Sequence, residues 1–453
     1  MSNFKVGFAE VNINPELGIG IYGYYVPRFA SGILDDIKST ALAFECNGKR
    51  TVMISIDTCT VPASIVARMY EEIEKKTGVT SDGVYICATH THTAPLLYKT
   101  AMFEADMEPV MKYREFLIER VAESAKLAID DLAAARMGYA VGRAPERIAY
   151  IRRYKMKDGS TMTCPPINDP NIDHAIGELD MRVNVLRFDR EGKDGVVLLN
   201  FGLHADTVNG DLISADWPGW VKKTLRDALG VNAIVFAGAE GDVGSTNVHP
   251  GPGDMNDTEI SFDNEMKSPG MARFVGRALA GTVLTVYDKV AYVPVDDINL
   301  IRKNIEVPSN RPNPEDLPRA KEYKALHDSG RDDLIPYTAM ELTTVVAEAV
   351  RMCRLENGPD FFTLTLTGFK LGNIAFVGIP GEPFTGIGVE IKKKEGWDLI
   401  LPTALTGGDG GYYPVRSAYN EGGYEARSSI YKAGVAELIV EGAHKLLDEL
   451  KGG

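Results

Sequence analysis

The sequence predicts an α/β protein in which β-sheets are covered by helices. Short apolar runs of strand character alternate along the chain with longer amphipathic runs of helical character. Such alternation is typical of architectures in which helices pack on the faces of a sheet. A hydrophobic fraction of 44% and a charged fraction of 25% are those of an ordinary globular protein with a sizeable core.

The predicted elements follow from these runs in chain order. The strands cover 51–56, 83–88, 195–201, 233–237, 361–370, 373–379 and 399–405. The helices cover 64–77, 108–132, 218–229, 270–287, 315–329, 338–354 and 428–451. The polar, Gly- and Pro-rich stretch 244–270 predicts a long loop of the kind that is often functional, and 308–333 predicts a charged helical insertion. Neither stretch is a convincing domain boundary, so we predict one domain over 1–453.

The charge of the chain argues against two classes of partner. The formal net charge is −14 and the sequence pI is near 5.1, whereas a general nucleic-acid binder needs a basic surface. The same charge disfavours docking on anionic lipid, and no apolar stretch approaches the roughly 20 residues that span a bilayer. We therefore expect a small-molecule substrate, no nucleic-acid partner and no stable membrane association. The sequence does not determine the oligomeric state.

The cysteines and the N-terminus predict a cytoplasmic protein. Five cysteines without a CxxC pair do not form the pattern of a disulfide framework, which favours a reducing compartment. The first residues lack the basic and apolar regions of a signal peptide.

Two closely spaced histidines end one of the predicted strands. His90 and His92 follow the run 83–88, and residues spaced i, i+2 on an extended chain leave the same face. Imidazole is the commonest protein ligand for zinc and related ions, and the chain has only seven histidines in 453 residues. The pair therefore indicates either metal ligands or a polar strand end whose histidines cap a loop.

Three further strands end in side chains that bind metals. His204 follows 195–201, Glu240 and Asp242 follow 233–237, and Glu382 follows 373–379. In open α/β sheets ligands bind at the carboxyl ends of strands, so these ends predict a metal site. Glu382 and Asp242 also have explanations that do not involve a metal. Glu382 precedes a predicted helix whose dipole favours a carboxylate, and Asp242 follows a glycine in a turn.

A glycine-rich segment with four tyrosines, 407–425, completes a family resemblance. Tyr419 and Tyr424 follow Tyr412 by seven and twelve residues, and glycines here allow close backbone approach. Together with His90-Thr91-His92, the strand ending at His204, and Gly381-Glu382 followed by Phe384-Thr385, this register resembles the catalytic domain of neutral (non-lysosomal) ceramidases, which are zinc-dependent amide hydrolases. The resemblance runs over nearly the whole chain. It implies a neutral-ceramidase-like catalytic domain with central mixed β-sheets covered by helices.

The resemblance also implies a zinc centre. It assigns the ligands of one Zn²⁺ to His90, His204, Glu382 and Tyr412.

The same resemblance implies groups on the substrate side of the zinc ion. His92 and Tyr424 would lie close to the reacting carbonyl. An arginine facing the substrate would be Arg152 or Arg153, and the local pattern favours Arg152 slightly.

These assignments predict a hydrolase that cleaves an amide (N-acyl) bond. A catalytic zinc ion lowers the pKa of water from about 16 to near 7, which makes the water a nucleophile toward the acyl carbon. The Tyr424 hydroxyl would stabilise the oxyanion, and His92 would act as general acid or base. Asp242 and Asp57, which each follow a strand, are alternatives to His92 in that role.

The chain departs from the ceramidase pattern at its serine. Ceramidases carry Gly-Asp-Val-Ser-Pro-Asn, whereas Gly244 stands at the serine position here, in the run 241–246, and Ser245 is the nearest hydroxyl. The chain also ends soon after the predicted helix 428–451, without the C-terminal β-sandwich of ceramidases. We therefore predict a soluble substrate other than ceramide.

Several alternatives stay open. The same zinc centre would also serve an esterase, a lactonase or a hydrolase of a sugar derivative, and the missing serine is compatible with a catalytically inactive binding protein. The HxH pair also begins the metallo-β-lactamase signature, which needs an Asp and a His shortly afterwards. It begins the amidohydrolase signature too, but the remaining histidines lie in predicted loops and helices, at His174, His249, His327 and His444.

Overall fold

A computed structural model of the protein describes residues 4–99, 106–254 and 267–452. The α-helices of these residues are mostly amphipathic and bury one face each. They are α1 (Ala63–Thr77), α2 (Met107–Asp130), α3 (Asp216–Leu229), α4 (Pro269–Val286), α5 (Leu317–Asp328), α6 (Ala339–Leu355), α7 (Thr385–Ile391), α8 (Arg416–Glu421), α9 (Tyr424–Ser428) and α10 (Val435–Gly452).

The strands include long members of two sheets and short pairs near the loops. They are β1 (Lys5–Asn12), β2 (Gly32–Ile33), β3 (Lys38–Cys46), β4 (Lys49–Ile56), β5 (Val84–Ala88), β6 (Ala133–Arg143), β7 (Tyr150–Ile151), β8 (Arg153–Met156), β9 (Thr161–Thr163), β10 (Ile172–Ala175), β11 (Arg182–Arg190), β12 (Val196–Phe201), β13 (Leu212–Ile213), β14 (Asn232–Ala237), β15 (Val243–Gly244), β16 (Ala291–Val293), β17 (Ile298–Pro308), β18 (Phe361–Leu371), β19 (Ile374–Gly378), β20 (Glu382–Pro383), β21 (Leu399–Thr403) and β22 (Tyr412–Tyr413).

The larger sheet consists of two halves. Its strand order is β14-β12-β11-β6-β1-β3-β4-β5, and β16 also pairs with β6. The halves meet where β1 pairs with β6 through only two residue pairs, Lys5 with Ala134 and Val6 with Ala133. Most pairs are antiparallel, but β4 with β5 and β12 with β14 are parallel. The parallel pairs are connected by α1 and α3, since parallel strands need a crossover.

A second sheet has the order β17-β18-β19-β21, and its parallel pair, β19 with β21, is connected by α7. Phe369 and Phe376 of this sheet share one core with residues from both halves of the larger sheet, including Phe44 and Phe236. Successive strand residues point to opposite faces of a sheet, so each sheet has a second, apolar face that does not meet this core. Helices cover these outer faces. The helices α1 and α2, α3 and α4, and α7 and α10 cover the three outer faces in turn.

The predicted fold class is confirmed: the protein has mixed sheets covered by helices. Each predicted strand and helix corresponds to an element whose ends differ by at most two residues, except that the last helix begins at Val435 instead of 428. Several long strands, β1, β3, β6, β11 and β17, were not among those predicted. We propose that the chain forms one domain over 1–453, since the two sheets share one core.

The two irregular segments have different outcomes. The charged insertion 308–333 contains α5 and is followed by α6, which packs against α9 through the Glu348–Arg427 ion pair. Of the predicted loop 244–270, residues 255–266 lie outside the described residues, and α4 already begins at Pro269. In the described parts of the chain, no helix combines the length and the apolar character needed to cross a membrane.

Candidate metal centre and active site

The backbone at the end of β5 positions His90. Its φ is +69°, in the left-handed region that residues other than glycine rarely adopt. The amide of His90 donates to the Thr58 carbonyl at 2.9 Å, so the chain turns where β4 and β5 end side by side. Strained backbone of this kind is concentrated at functional sites.

Three buried side chains from three different parallel strand pairs meet at one point. The Nε2 atoms of His90 and of His204 each lie 3.2 Å from Oε2 of Glu382. Their candidate ligand atoms all lie within 4.8 Å of one another. His90 follows β5, His204 follows β12, and Glu382 follows β19. The strand ends that the sequence singled out are therefore brought together.

Hydrogen bonds to the backbone orient both imidazoles. Nδ1 of His90 donates to the Cys59 carbonyl at 2.8 Å, and Nδ1 of His204 donates to the Glu240 carbonyl at 2.9 Å. With Nδ1 protonated, Nε2 of each ring carries the lone pair that a metal binds. Nε2 of His204 and Oε2 of Glu382 are buried and make no hydrogen bond to the described residues.

This donor set fits a metal ion. Two imidazole nitrogens and one carboxylate oxygen are typical ligands of catalytic zinc. Burying such atoms without partners costs free energy that a shared cation would offset. Burial, assisted by the Arg152 guanidinium, lowers the pKa of His204 to about 4, so its ring is neutral near pH 7. Burial opposes the charge of Glu382, but His90 and His204 hold its pKa well below the usual value.

Tyr412 lies beside these three residues because a short strand pair aligns it with Glu382. In the parallel pair β20–β22, Glu382 is the partner of Tyr412. The approach requires glycine at 381, where φ is +152° and a Cβ atom would lie 2.5 Å from the Gly411 carbonyl oxygen. The Tyr412 ring stacks on His204 with ring centroids 6.5 Å apart. Burial raises the pKa of Tyr412 well above its usual value.

Arg152 lies over the Tyr412 ring, with its Cζ 5.3 Å from the ring centroid. Its Nε is 2.7 Å from Oε1 of the fully buried Glu425, and its Nη2 donates to the Gly241 carbonyl at 2.8 Å. Arg152 thus holds a positive charge next to the candidate ligands, and its ion pair with Glu425 compensates that charge.

Arg153 has a different environment. Its Nη2 donates to Oε2 of Glu421 at 3.0 Å and to the Gly422 carbonyl at 2.9 Å, and its Cζ lies 5.5 Å from the Phe384 ring centroid. The side chain is 2% exposed. Its hydrogen bonds therefore fasten the turn after α8, and of the two arginines the structure brings Arg152 to the cluster.

His92 lies next to the cluster, beside His90. Its Nε2 is 3.3 Å from Nε2 of His90, and its Nδ1 is 3.8 Å from Oδ1 of Asp206. A Cβ atom at residue 23 would lie 2.8 Å from this Nδ1, so only glycine allows the 20–30 segment to cover the ring. Burial holds the pKa of His92 well below its usual value.

Three residues beside His92 were not predicted as site residues. Lys267 donates to Oδ2 of Asp206 at 2.8 Å and to the Tyr24 hydroxyl at 3.0 Å, and the Tyr24 hydroxyl donates to Oδ1 of Asp206. Burial opposes the charge of Asp206, but Lys267 lowers its pKa. Asp206 follows His204 at the same i, i+2 spacing as the histidine pair, a signal available in the sequence. Lys267 lies within the predicted functional loop.

Tyr424 closes the site from α9. Its ring makes an edge-on contact with Tyr412, with centroids 5.6 Å apart, and a second one with Tyr25 at 6.5 Å. Its amide donates to the Thr163 hydroxyl at 3.1 Å. Burial raises the pKa of Tyr424 well above its usual value, so the phenol is protonated at neutral pH.

The two aspartates considered as acids or bases are held by other partners. Oδ1 of Asp242 accepts hydrogen bonds from the Thr385 amide at 2.7 Å and from the Thr385 hydroxyl at 2.9 Å, at the start of α7. Burial raises the pKa of Asp242. Oδ2 of Asp57 accepts from the Lys38 amide and from the Lys222 ammonium, each at 2.9 Å. These bonds are those of residues that hold strand ends in place.

Comparisons with known proteins identify the fold. The chain is similar in structure to the neutral ceramidase of Pseudomonas aeruginosa, with a TM-score of 0.73 and 17% identity, over 99% of this chain and 75% of that one. The protein has the neutral ceramidase fold. A structure described as a ceramidase complexed with C2 matches with a TM-score of 0.72 and 17% identity, over 99% of this chain and 76% of that one.

A curated relative gives the same result at the level of sequence. The chain is 22% identical over 312 residues to a neutral ceramidase of rice, Oryza sativa subsp. japonica, in an alignment that covers 63% of this chain. The alignment spans only 38% of the rice protein. No family model matches the sequence. The resemblance inferred from the motifs is thus confirmed, and the fold contains a candidate metal centre.

Proposed function

We propose that the protein is a zinc-dependent hydrolase that cleaves an amide (N-acyl) bond of a small soluble molecule other than ceramide. The observation that carries the proposal is the convergence of His90, His204 and Glu382, in which Nε2 of His204 and Oε2 of Glu382 are buried with no hydrogen-bond partner among the described residues. The neutral ceramidase fold of the chain and the name of its rice relative support hydrolysis as the reaction class.

The proposed ligands of Zn²⁺ are His90, His204, Glu382 and Tyr412. When bound, a zinc ion lowers the pKa of water and polarises a carbonyl group. The hydrogen bonds from Nδ1 of both imidazoles to the backbone carbonyls of Cys59 and Glu240 would leave Nε2 of each ring free to hold the ion.

The substrate side consists of residues that move a proton or stabilise charge. His92, whose Nε2 lies 3.3 Å from that of His90, is placed to take a proton from water and return it to the leaving amine. The protonated Tyr424 hydroxyl is a donor for the oxyanion that forms on the acyl carbon. Arg152 keeps the Tyr412 ring in place and faces the substrate. In this arrangement Arg153 and Asp242 support neighbouring loops.

Metal analysis of matched variants tests the proposal. We expect about one zinc per purified chain, loss of zinc in His204→Ala and Glu382→Gln, and full zinc in His444→Ala, whose ring is exposed on α10 and bonds the Glu390 carbonyl. Hydrolysis of a panel of N-acyl compounds should follow the zinc content and disappear on chelation. Circular dichroism shows whether each variant is folded.

Two results would contradict the proposal. Retained zinc and turnover in His204→Ala would remove the assigned centre, and turnover that survives exhaustive chelation would remove the metal from the reaction. Esters, lactones and N-acyl sugars in the same panel distinguish the alternative bonds, because water activated at one site attacks esters more readily than amides. Zinc binding without turnover of any compound would favour an inactive binding protein.

The cellular location is also a proposal. The five cysteines are free, and three of them are buried in the core. We propose a cytoplasmic location, because the cytoplasm is a reducing compartment in which thiols stay free. A soluble substrate fits the same location.

A further inference from the structure

A second group of metal-binding side chains adjoins the proposed zinc centre. Cys59 lies just after β4, and its Sγ is 3.7 Å from Nδ1 of His90. One ligand atom from each of Cys59, His90 and His92 lies within 4.8 Å of the other two. Cys59 and His90 are each 2% exposed and His92 is 7% exposed. The group therefore combines one thiol and two imidazoles in a buried environment.

Backbone hydrogen bonds hold this group together. The His90 amide donates to the Thr58 carbonyl at 2.9 Å, and Nδ1 of His90 donates to the Cys59 carbonyl at 2.8 Å. The His92 amide donates to the Ala205 carbonyl at 3.0 Å. None of these bonds involves the Cys59 thiol or Nε2 of either imidazole. The three side chains are thus kept close to one another while these atoms remain available to an ion.

The spacing of the group fits a single tetrahedral ion. Zinc binds nitrogen at about 2.0–2.1 Å and sulfur at about 2.3 Å, so tetrahedral angles place two bound nitrogens about 3.3 Å apart and a nitrogen and a sulfur about 3.6 Å apart. The Nε2 atoms of His90 and His92 are 3.3 Å apart, and Sγ of Cys59 is 3.7 Å from the His90 ring nitrogen. Nδ1 of His92 is buried and has no hydrogen-bond partner among the described residues. An ion that binds His92 would therefore not have to displace a hydrogen bond at Nδ1.

The sulfur atom determines which ions suit this group. Thiolate is a soft ligand that selects thiophilic ions such as Zn²⁺ and Cu⁺, and imidazole binds the same ions. Burial raises the pKa of the Cys59 thiol, so the sulfur keeps its proton until an ion displaces it. On binding, the S–H bond breaks, the bond from sulfur to the ion forms, and the proton passes to water.

We propose that Cys59, His90 and His92 form a second position for a thiophilic metal ion, which competes with the ion of the proposed zinc centre for His90. A neutral imidazole carries one lone pair, so the His90 ring binds one ion at a time. The same ion would also occupy His92, the proposed acid or base. Inhibition of turnover by such an ion is the consequence that rests on the proposed function, whereas the binding itself does not.

Cadmium tests the second position without any need for turnover. A Cd²⁺ ion bound to a thiolate has an ultraviolet charge-transfer band that a Cd²⁺ ion bound only to nitrogen and oxygen lacks. Zinc-loaded protein is titrated with cadmium chloride, and the band and the zinc in an ultrafiltrate are measured together. We expect the band to saturate at about one cadmium per chain, with about one zinc released for each cadmium bound, because both positions use His90.

Matched variants assign the band to a particular thiol. Cys59→Ser should abolish this band, since a hydroxyl is a poor ligand for a thiophilic ion. Cys87→Ser should keep it, because the Cys87 thiol is also buried near the end of a strand but contacts the Thr406 hydroxyl at 3.0 Å. The remaining cysteines are present in every variant, so their contribution cancels in the comparison. Circular dichroism shows whether each variant is folded.

Two histidine variants separate the second position from the proposed zinc centre. His92→Asn should raise the cadmium concentration at half-saturation of the band by more than the roughly 10–100-fold that loss of an outer-shell partner costs. His204→Ala removes a ligand of the proposed zinc centre only. It should therefore keep the band at full intensity while releasing no zinc.

The outcomes distinguish the two proposals. Absence of the band, or a band of equal intensity in Cys59→Ser, would overturn the second position even if the protein hydrolyses the panel of N-acyl compounds. A band that forms while all zinc stays bound would overturn the competition for His90. A band that depends on Cys59 and His92, in a protein that turns over none of the compounds, would support the second position and count against the proposed hydrolysis.

Discussion

Replacing Asp242 distinguishes a residue that supports the metal centre from one that transfers protons. The carboxylate accepts the Thr385 amide and hydroxyl at 2.7 and 2.9 Å, three residues after the candidate ligand Glu382. The preceding residue is fastened to the same segment, because the Gly241 amide donates to the Pro383 carbonyl at 2.9 Å. We therefore expect Asp242 to act by holding the Glu382 segment at the start of α7.

The structure gives the expected size of the effect. In Asp242→Ala the buried Thr385 amide and hydroxyl lose their acceptor, and each unsatisfied group costs about 1–3 kcal/mol. The cost for the amide includes the loss of the hydrogen bond that caps the start of α7. A total of about 2–6 kcal/mol follows for the two groups. The entropy of unfolding is about 2.1 cal/mol/K per residue. If all 453 residues unfold together, each kcal/mol lost from the free energy of unfolding lowers Tm by about 1 °C. In Asp242→Asn the amide oxygen accepts both bonds, so we expect a change within about 1 kcal/mol.

The assay compares stability, zinc content and turnover in the same preparations. We expect Asp242→Asn to keep its zinc, its Tm and most of its turnover. Asp242→Ala should melt about 2–6 °C lower and bind zinc more weakly. Thr385→Val keeps the backbone bond and loses the hydroxyl bond, so its melting temperature should fall in between. The reasoning fails if Asp242→Asn loses turnover by about 10²–10⁴-fold with an unchanged Tm, because that is the signature of a general acid or base.

Three further predictions concern the supports of the site. Burial raises the pKa of Glu240, whose carboxyl oxygens have no hydrogen-bond partner among the described residues. The folded state therefore binds the Glu240 proton more tightly than the unfolded state does. As a result, the stability of the folded state falls as pH rises above about 4.3. In chelated protein, the urea midpoint of Glu240→Gln should rise relative to that of the unmodified protein as pH increases from 4 to 8. A difference between the two midpoints that does not change with pH would contradict this. Burial opposes the charge of Asp180, but Arg182 and Lys392 lower its pKa to about 2, so Asp180→Asn should lose roughly 2 kcal/mol at pH 7, and this loss should shrink as pH falls from 4 to 2. Gly381→Ala should displace β22 and lower zinc affinity while circular dichroism stays near normal, because its Cβ would meet a backbone oxygen at 2.5 Å; full zinc binding would be the opposite result.

The sequence was sufficient for the parts of the fold that carry a strong local signal. Buried parallel strands such as β5, β12 and β19 are continuous apolar runs, and they ended where predicted. The same strands deliver His90, His204 and Glu382, so the candidate ligands followed from the strand ends and from the family motifs. Strands with mixed sequences were harder to predict: β11 and β17 contain several charged residues, and their place depends on pairing and packing against distant parts of the chain.

The environment of a side chain was the part that sequence could not provide. Arg152 and Arg153 are neighbours on the chain, yet one lies over Tyr412 and the other is fastened to the turn after α8. Alternation along the extended chain sends them to opposite faces, but which face borders the site depends on distant elements. Lys267 was hidden for the same reason, because its partners Asp206 and Tyr24 are far away in sequence.

The position of the ligands suggests what a bound ion does for the fold. Each parallel strand pair, β4–β5, β12–β14 and β19–β21, contributes one residue, and the three pairs meet in the shared core and at this point. A ligand that binds only the folded state stabilises it by RT ln(1 + [L]/Kd), which is about 4 kcal/mol at a thousandfold excess over Kd. Because the core consists of buried apolar side chains and not of the candidate ligands, removal of the ion should loosen the strand ends and the 20–30 segment over His92 before the core. Hydrogen exchange on zinc-loaded and chelated protein should therefore differ at the amides of the strand ends and remain equal at Phe236 and Phe376, and a uniform change across the core would show instead that the ion is needed for the packing of the three sheet faces.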